Sequence, residues 1–166
     1  MFQIKLLILL LTSSFLYVNC SSQKLTNNYT YKVNYISGGV DGLNLSNILI
    51  NNLKVSGLYD DRSEWIIDAN IGHSTDLFIT NTNNTSDRER VNSSMEIIIS
   101  KSNDLDCQVY RKSFLVNQFY IMTENKFYIS NISALNEIKY QNTEILVQYL
   151  LEHLKYAVYG NCLKNE

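Results

Sequence analysis

Asn142-Thr-Glu-Ile-Leu-Val-Gln-Tyr-Leu-Leu-Glu-His-Leu-Lys-Tyr-Ala-Val-Tyr-Gly160 is the one stretch of this chain whose apolar residues recur at helical spacing. Leu146, Tyr149, Leu150, His153, Leu154, Ala157 and Val158 fall three and four residues apart and so share a face. Val147 and Leu151 widen that stripe beyond the face of a surface helix, which predicts deep burial. Asn142 or Thr143 offers a capping oxygen, Glu144 suits the positive first turn, and Lys155 lies near the negative end. Gly160 suits a left-handed stop. The spacing predicts a helix over about 142–159, with Leu146, Tyr149, Leu150, Leu154 and Val158 in the core.

Upstream, the period changes to two. In Tyr29-Thr30-Tyr31-Lys32-Val33-Asn34-Tyr35 the odd positions are apolar, as in a half-buried strand closed by Ser37-Gly38-Gly39. Leu43 to Ile50 reads as a second strand, and Leu53, Val55 and Tyr59 as a third. Trp65, Ile67, Ala69 and Ile71 line one face of a fourth, and Leu77 to Thr80 is short and strand-like. Residues 81–94 are Asn, Ser, Thr and mixed charge, and read as an exposed loop. Strands resume at Met95–Ser100 and Cys107–Val116, and Glu124-Asn125 separates Phe119–Thr123 from Lys126–Ser130 as in a tight hairpin. Eight or nine strands with short links imply a mainly antiparallel sheet. The expected fold is mainly β with one C-terminal α-helix (α+β), the sheet strongly curved or barrel-like and packed around the helix.

The first residues are not part of that fold. Lys5, an apolar run from Leu6 to Leu11, and a small-residue exit at Asn19-Cys20-Ser21-Ser22 have the form of a secretory signal peptide. Ser13-Ser14 interrupts a run that would need about 20 apolar residues to span a bilayer. The preferred division is a signal peptide over 1–20 and one secreted β-rich domain over 21–166, with no membrane span once the signal is removed. A bacterial lipoprotein signal with Cys20 as the lipidated residue is the rival, from which Tyr17 and Asn19 depart.

The 166 residues carry a net charge of −2, which becomes −3 when Lys5 is lost. Such a charge gives no reason to expect nucleic acid or anionic membrane as a partner. Without the leader two cysteines remain, Cys107 and Cys162, and an isolated pair in an oxidising compartment is expected to bridge; the alternative is two buried thiols. Asn-x-Ser/Thr sites at Asn28, Asn44, Asn83, Asn84, Asn92 and Asn131 are glycosylation candidates if the host is a eukaryote.

Little in the chain suggests chemistry. Gly72-His73-Ser74-Thr75-Asp76 matches a nucleophile elbow without its last Gly, and no helix pattern follows Ser74, so a turn between two strands is the better reading. His153, on the helix stripe, reads as a core or edge residue. Two His without nearby Cys make no zinc site of standard spacing, and Asp60-Asp61 and Asp104-Leu105-Asp106 lack the Gly-spaced loop of calcium sites. No catalytic residue, cofactor site or metal site is assigned, and the expectation is a protein that is not an enzyme.

Ile129-Ser-Asn131 through Leu150-Leu151-Glu152, with the strand Tyr29–Tyr35 and the ending Gly160-Asn161-Cys162, resembles the start of the N-terminal β-barrel of the large lipid transfer proteins, which include the vitellogenins. The helical domain and lipid-cavity sheets of that family have no counterpart here. The resemblance implies a barrel plugged by a helix and a secreted carrier of a lipid or other apolar ligand. The alternative is a secreted, glycosylated interaction module with a filled core, presenting loop 81–94 to a protein partner. Either reading places the chain outside the cell or in the secretory lumen.

Overall fold

The computed structural model describes residues 29–79, 87–121 and 128–163. Along the chain run β1 (Lys32–Ser37), α1 (Gly39–Val55), β2 (Trp65–Ile79), β3 (Asp87–Lys101), β4 (Asp104–Ile121) and α2 (Tyr128–Leu154). The strands form one open sheet in the order β1-β2-β3-β4. β1 pairs parallel with β2 by way of α1, and β2, β3 and β4 form an antiparallel meander. Both helices lie on one face of the sheet, α1 over β1 and β2, α2 over β3 and β4, and they pack on each other.

Alternation decides which side chains lie between the layers. Ile67, Ala69 and Ile71 of β2 pair in register with Ile99, Ile97 and Met95 of β3, so all six point to the same side and are buried. Leu45, Ile48, Leu49 and Leu53 of α1 and Leu146, Val147, Leu150, Leu151 and Leu154 of α2 cover them. Burying each such side chain contributes about 1.5–3 kcal/mol. The interior is therefore filled by helix side chains.

β4 has 18 residues and α1 has 17, so the strand extends roughly 60 Å while that helix covers about 25 Å. β2 accordingly outruns α1. From Ser74 to Leu77 both faces of β2 are exposed.

Several expectations are corrected. The sheet is mixed and open rather than an antiparallel barrel, with four strands among the described residues and two helices instead of one. The stretch Leu43–Ile50, read as a strand, lies in α1. Its buried positions Leu45, Ile48, Leu49 and Leu53 follow the helical period, masked in the sequence by exposed Val40, Leu43 and Val55. Leu53 and Val55 belong to the same helix, and Tyr59 makes a single bridge to Tyr31 after Gly57, which sits at φ 69°. His73 is in the middle of β2, not in a turn. The expected loop 81–94 is strand from Asp87 onward, and residues 128–130 of the expected hairpin open α2.

The helix itself starts fourteen residues earlier than expected, at Tyr128, and ends at Leu154. Asn142 and Thr143, expected as caps, are buried mid-helix, where the Thr143 hydroxyl donates to the Lys139 carbonyl. Leu146, Leu150 and Leu154 are in the core as expected. Tyr149 is 43% exposed and Val158 88%. Tyr149 falls on the outer side of the helix, and Val158 comes after its end. The chain leaves the helix at Leu154 because its next residues belong elsewhere: Tyr159 stacks on Trp65 and Tyr29, and Cys162 bonds to Cys107.

Gly38 and Gly42 allow the tight entry into α1. Gly38 has φ 122°, and a Cβ there would stand 2.7 Å from the Ile71 carbonyl oxygen; one on Gly42 would stand 2.8 Å from that of Ser37.

Candidate functional site

Three polar side chains from three elements meet between the layers. His73 of β2 and Ser93 of β3 are register partners on the helix-facing side, and Asn142 of α2 descends onto them. His73 Nδ1 lies 2.7 Å from Ser93 Oγ, and Asn142 Nδ2 donates to the same oxygen at 2.8 Å. The arrangement is satisfied when Ser93 donates its proton to His73 Nδ1, which leaves the ring proton on Nε2. His73 Nε2 and Asn142 Oδ1 are then a buried donor and a buried acceptor without partners. Burial lowers the His73 pKa; nearby Asp41 opposes this and Lys139 adds to it. Asp41 and Lys139 face each other at 3.9 Å between α1 and α2.

A serine bonded to a histidine invites comparison with a nucleophile and its base. Ser93 is only 1% exposed, beneath α2. Its oxygen accepts from Asn142, so the trio works as a polar clamp that fixes α2 on the sheet. Ser74, the serine of the partial elbow motif, is exposed on the other face. His153 is exposed at the end of α2 and receives Lys112 Nζ at 2.9 Å on Nε2. The acidic pairs serve turns: Asp60 accepts from the Arg62 amide, Asp61 from the Tyr59 hydroxyl and Asp104 from the Asp106 amide. Among the described residues no group of three or more His, Cys, Asp or Glu is placed to hold a metal.

The outer face of the sheet is polar near β1 and β2 and apolar along β4. Asp68 accepts from the Asn34 side chain and the Tyr35 amide, and Ser37 donates to Asn70. Asp76 accepts from Arg90 and Asn92, and these bonds hold its carboxyl below the usual range. On β4 the outer face presents Leu115, Phe119 and Ile121, all exposed. An open depression of about 330 Å³ lies beside them, lined by Gly72, Ser74, Asn92, Ser94 and Leu115, where the missing Gly72 side chain leaves room. A second, of about 520 Å³, is lined mainly by amides: Asn52, Gln118, Gln141 and Gln148.

Cys107 and Cys162 form a disulfide, Cα–Cα 4.9 Å. Beside it Tyr29, Tyr31, Trp65 and Tyr110 surround Tyr159, whose hydroxyl bonds to that of Tyr31 at 2.8 Å. Of the glycosylation candidates, Asn28, Asn83 and Asn84 lie outside the described residues. Asn44 is on α1 and Asn131 on α2, and the Asn92 amide is engaged by Asp76. Sequence reasoning missed the clamp because Asn142 looked like a cap. The exposed edge of β4 was missed too, although the uncharged run from Ser113 to Ile121 was there to be read.

No family model and no curated protein matches the chain. Solved structures do share its fold. A minor lipoprotein from Acinetobacter baumannii superposes with TM-score 0.56 at 10% identity, over 82% of this chain and 98% of that one. A candidate lipoprotein from Caulobacter crescentus gives 0.54 at 12%, over 75% and 87%. The rare lipoprotein B from Shewanella oneidensis gives 0.49 at 8%, over 76% and 95%. The likenesses to the Acinetobacter and Caulobacter structures correct the expected kinship with the large lipid transfer proteins: the shared architecture is an open sheet under two helices, not a barrel around one. The carrier reading falls with it, since Leu146, Leu150 and Leu154 fill the interior. The alternative of a secreted glycoprotein finds no support either: the solved structures that share the fold are described as bacterial lipoproteins.

Proposed function

We propose that this chain is a cell-envelope lipoprotein, exported and then tethered by lipid on Cys20, whose folded part does binding rather than chemical work. The observation that carries the reading is the fold shared with two bacterial lipoproteins, almost the whole of the Acinetobacter protein being matched. The cysteines support it. Cys107 and Cys162 are bonded to each other, as suits an oxidising compartment, and Cys20 is the one cysteine that the bond does not use. Cys20 follows the apolar leader directly and precedes the first described residue, Tyr29, by a short link. Two acyl chains on that link would anchor the domain stably, which one chain would not. No helix among the described residues is long and apolar enough to cross a membrane. A non-catalytic role is supported by the coverage of Ser93 by α2.

The test is the chemistry of the mature N-terminus in a bacterial host fed labelled palmitate. The expected product starts at Cys20, carries the label and floats with membranes, and Cys20→Ser abolishes all three. A mature protein starting at Ser21 without label would overturn the reading.

A further inference from the structure

β4 is an edge of the sheet, and its two halves are protected differently. Over the first half the Leu163 amide donates to the Gln108 carbonyl at 2.6 Å, and the Cys107–Cys162 bond fastens that tail in place. The register against β3 breaks at Ile99, Ser100 and Lys101, and Arg111 and Lys112 follow. Tail cover, irregular pairing and basic side chains are all devices that discourage another strand from adding to an edge. From Ser113 to Ile121 the pairing is regular and no basic side chain occurs, and among the described residues no tail lies along the edge. The segment Ser113-Phe-Leu-Val-Asn-Gln-Phe-Tyr-Ile121 has no charge, no Gly and no Pro, and pairs with β3 in unbroken register. Among the described residues no strand lies beyond it. On its outer face Leu115 is 74% exposed, and Asn117, Phe119 and Ile121 are exposed after it.

We propose that Ser113–Ile121 pairs antiparallel with the same segment of a second copy, about a two-fold axis through Asn117, joining two four-stranded sheets into one. The segment's own order argues for a second copy over an unrelated strand. With Asn117 opposite Asn117, Leu115 of each copy stands opposite Phe119 of the other, an aliphatic–aromatic pair made twice on the outer face. On the helix side the same register sets Phe114 against Tyr120 and Val116 against Gln118. Moving the axis to Val116 puts Phe119 opposite Ser113 and Ile121 opposite Arg111. Moving it to Gln118 puts Phe119 opposite Asn117. Charge selects the direction. A parallel pair in register would face Arg111 with Arg111 and Lys112 with Lys112, whereas the antiparallel pair sends these residues to opposite ends of the seam. The contact is isologous and closes on itself, leaving no further edge on that side.

The experiment uses the chain shortened to begin at Ser21, without the leader and the lipid-bearing Cys20, in which the Cys107–Cys162 bond leaves no other thiol. Sedimentation should give twice the monomer mass. Asn117→Cys brings two thiols together on the axis, at a separation a disulfide can span, and should yield a covalent dimer under mild oxidation. Ser113→Cys, equally exposed but opposite Ile121, should not. Leu115→Lys and Phe119→Glu should each sediment as monomers with unchanged circular dichroism. Combined in one chain they should restore the dimer, because each Lys then faces a Glu. A monomeric wild type, a Ser113→Cys variant that links as well as Asn117→Cys, or a double variant no better than the singles would overturn the proposal. A monomer that instead captures a strand of a different protein would overturn it too.

Discussion

Replacing both Cys107 and Cys162 with Ser isolates what the disulfide does for the fold. The bond closes a loop of 55 residues that contains the whole of α2. In the chain-entropy model a loop of that length withholds about 4 kcal/mol of freedom from the unfolded chain. The native side adds a local effect. Without the bond the tail is held to the sheet by the Leu163–Gln108 hydrogen bond and by Tyr159 in its aromatic nest, so that end should loosen first. Equilibrium unfolding in urea, oxidised wild type against the double Ser variant, measures the difference directly. With a slope of about 2 kcal/mol per molar, the midpoint should fall by roughly 2 M. The wild type treated with reductant should fall equally, and Tyr and Trp fluorescence should change before far-ultraviolet circular dichroism does. A loss below about 1 kcal/mol would refute the reasoning, because the loop would then be closed in the unfolded chain by something other than the bond.

Three further outcomes are expected. Leu150→Asp places an unpaired carboxylate where the side chain is fully buried and should cost more than about 4 kcal/mol; absence of folded protein by circular dichroism checks it, and normal secretion and melting would contradict it. His73 is held below its ordinary value of 6.5, chiefly by burial. The unfolded chain therefore takes up the proton first, so stability is full above pH 6.5 and is lost as pH falls through the lowered folded value. Melting temperature followed from pH 8 to pH 4 should show that fall, and His73→Gln should flatten it. Gly38→Ala forces a side chain into φ 122° and against the Ile71 carbonyl; it should lower stability by about 1–3 kcal/mol in thermal melts, while Gly160→Ala, with open space around it, should change little.

The parts of the fold legible in the sequence were those whose period was clean. Trp65, Ile67, Ala69 and Ile71 alternate, are buried on one face, and form the strand expected of them. Leu146, Leu150 and Leu154 repeat every turn and are buried on a helix. The helical period of α1 and of the first half of α2 is hidden for a common reason: polar or exposed residues interrupt their stripes. Along α2 the half-buried positions Asn131, Ala134, Leu135, Ile138 and Lys139 continue to Asn142 and Thr143 at helical spacing. Four of those seven are polar, so a reading based on apolar residues stopped at Asn142. The parallel pairing of β1 with β2 was not legible, because it depends on α1 having been recognised as the crossover. At the candidate site, the cysteines could be paired by elimination. The His73–Ser93–Asn142 clamp could not, since its members come from three elements and register alone brings them together.

The overhang of β2 past α1 has a dynamic consequence. The hydrogen-bond ladder continues from Gly72–Ser94 to Ile79–Asp87, but from Ser74 to Leu77 the β2 side of it is exposed on both faces, and Val91 is the one fully buried residue opposite. Such a ladder opens by local fraying with little apolar surface to expose, so its amides should exchange far sooner than those beside Ile67 or Ile97. A twisted ribbon fixed at one end behaves as a soft arm on a rigid base. The exposed part of β2, from Ser74 to Leu77, can change pitch to follow a curved surface without disturbing the packed half of the molecule.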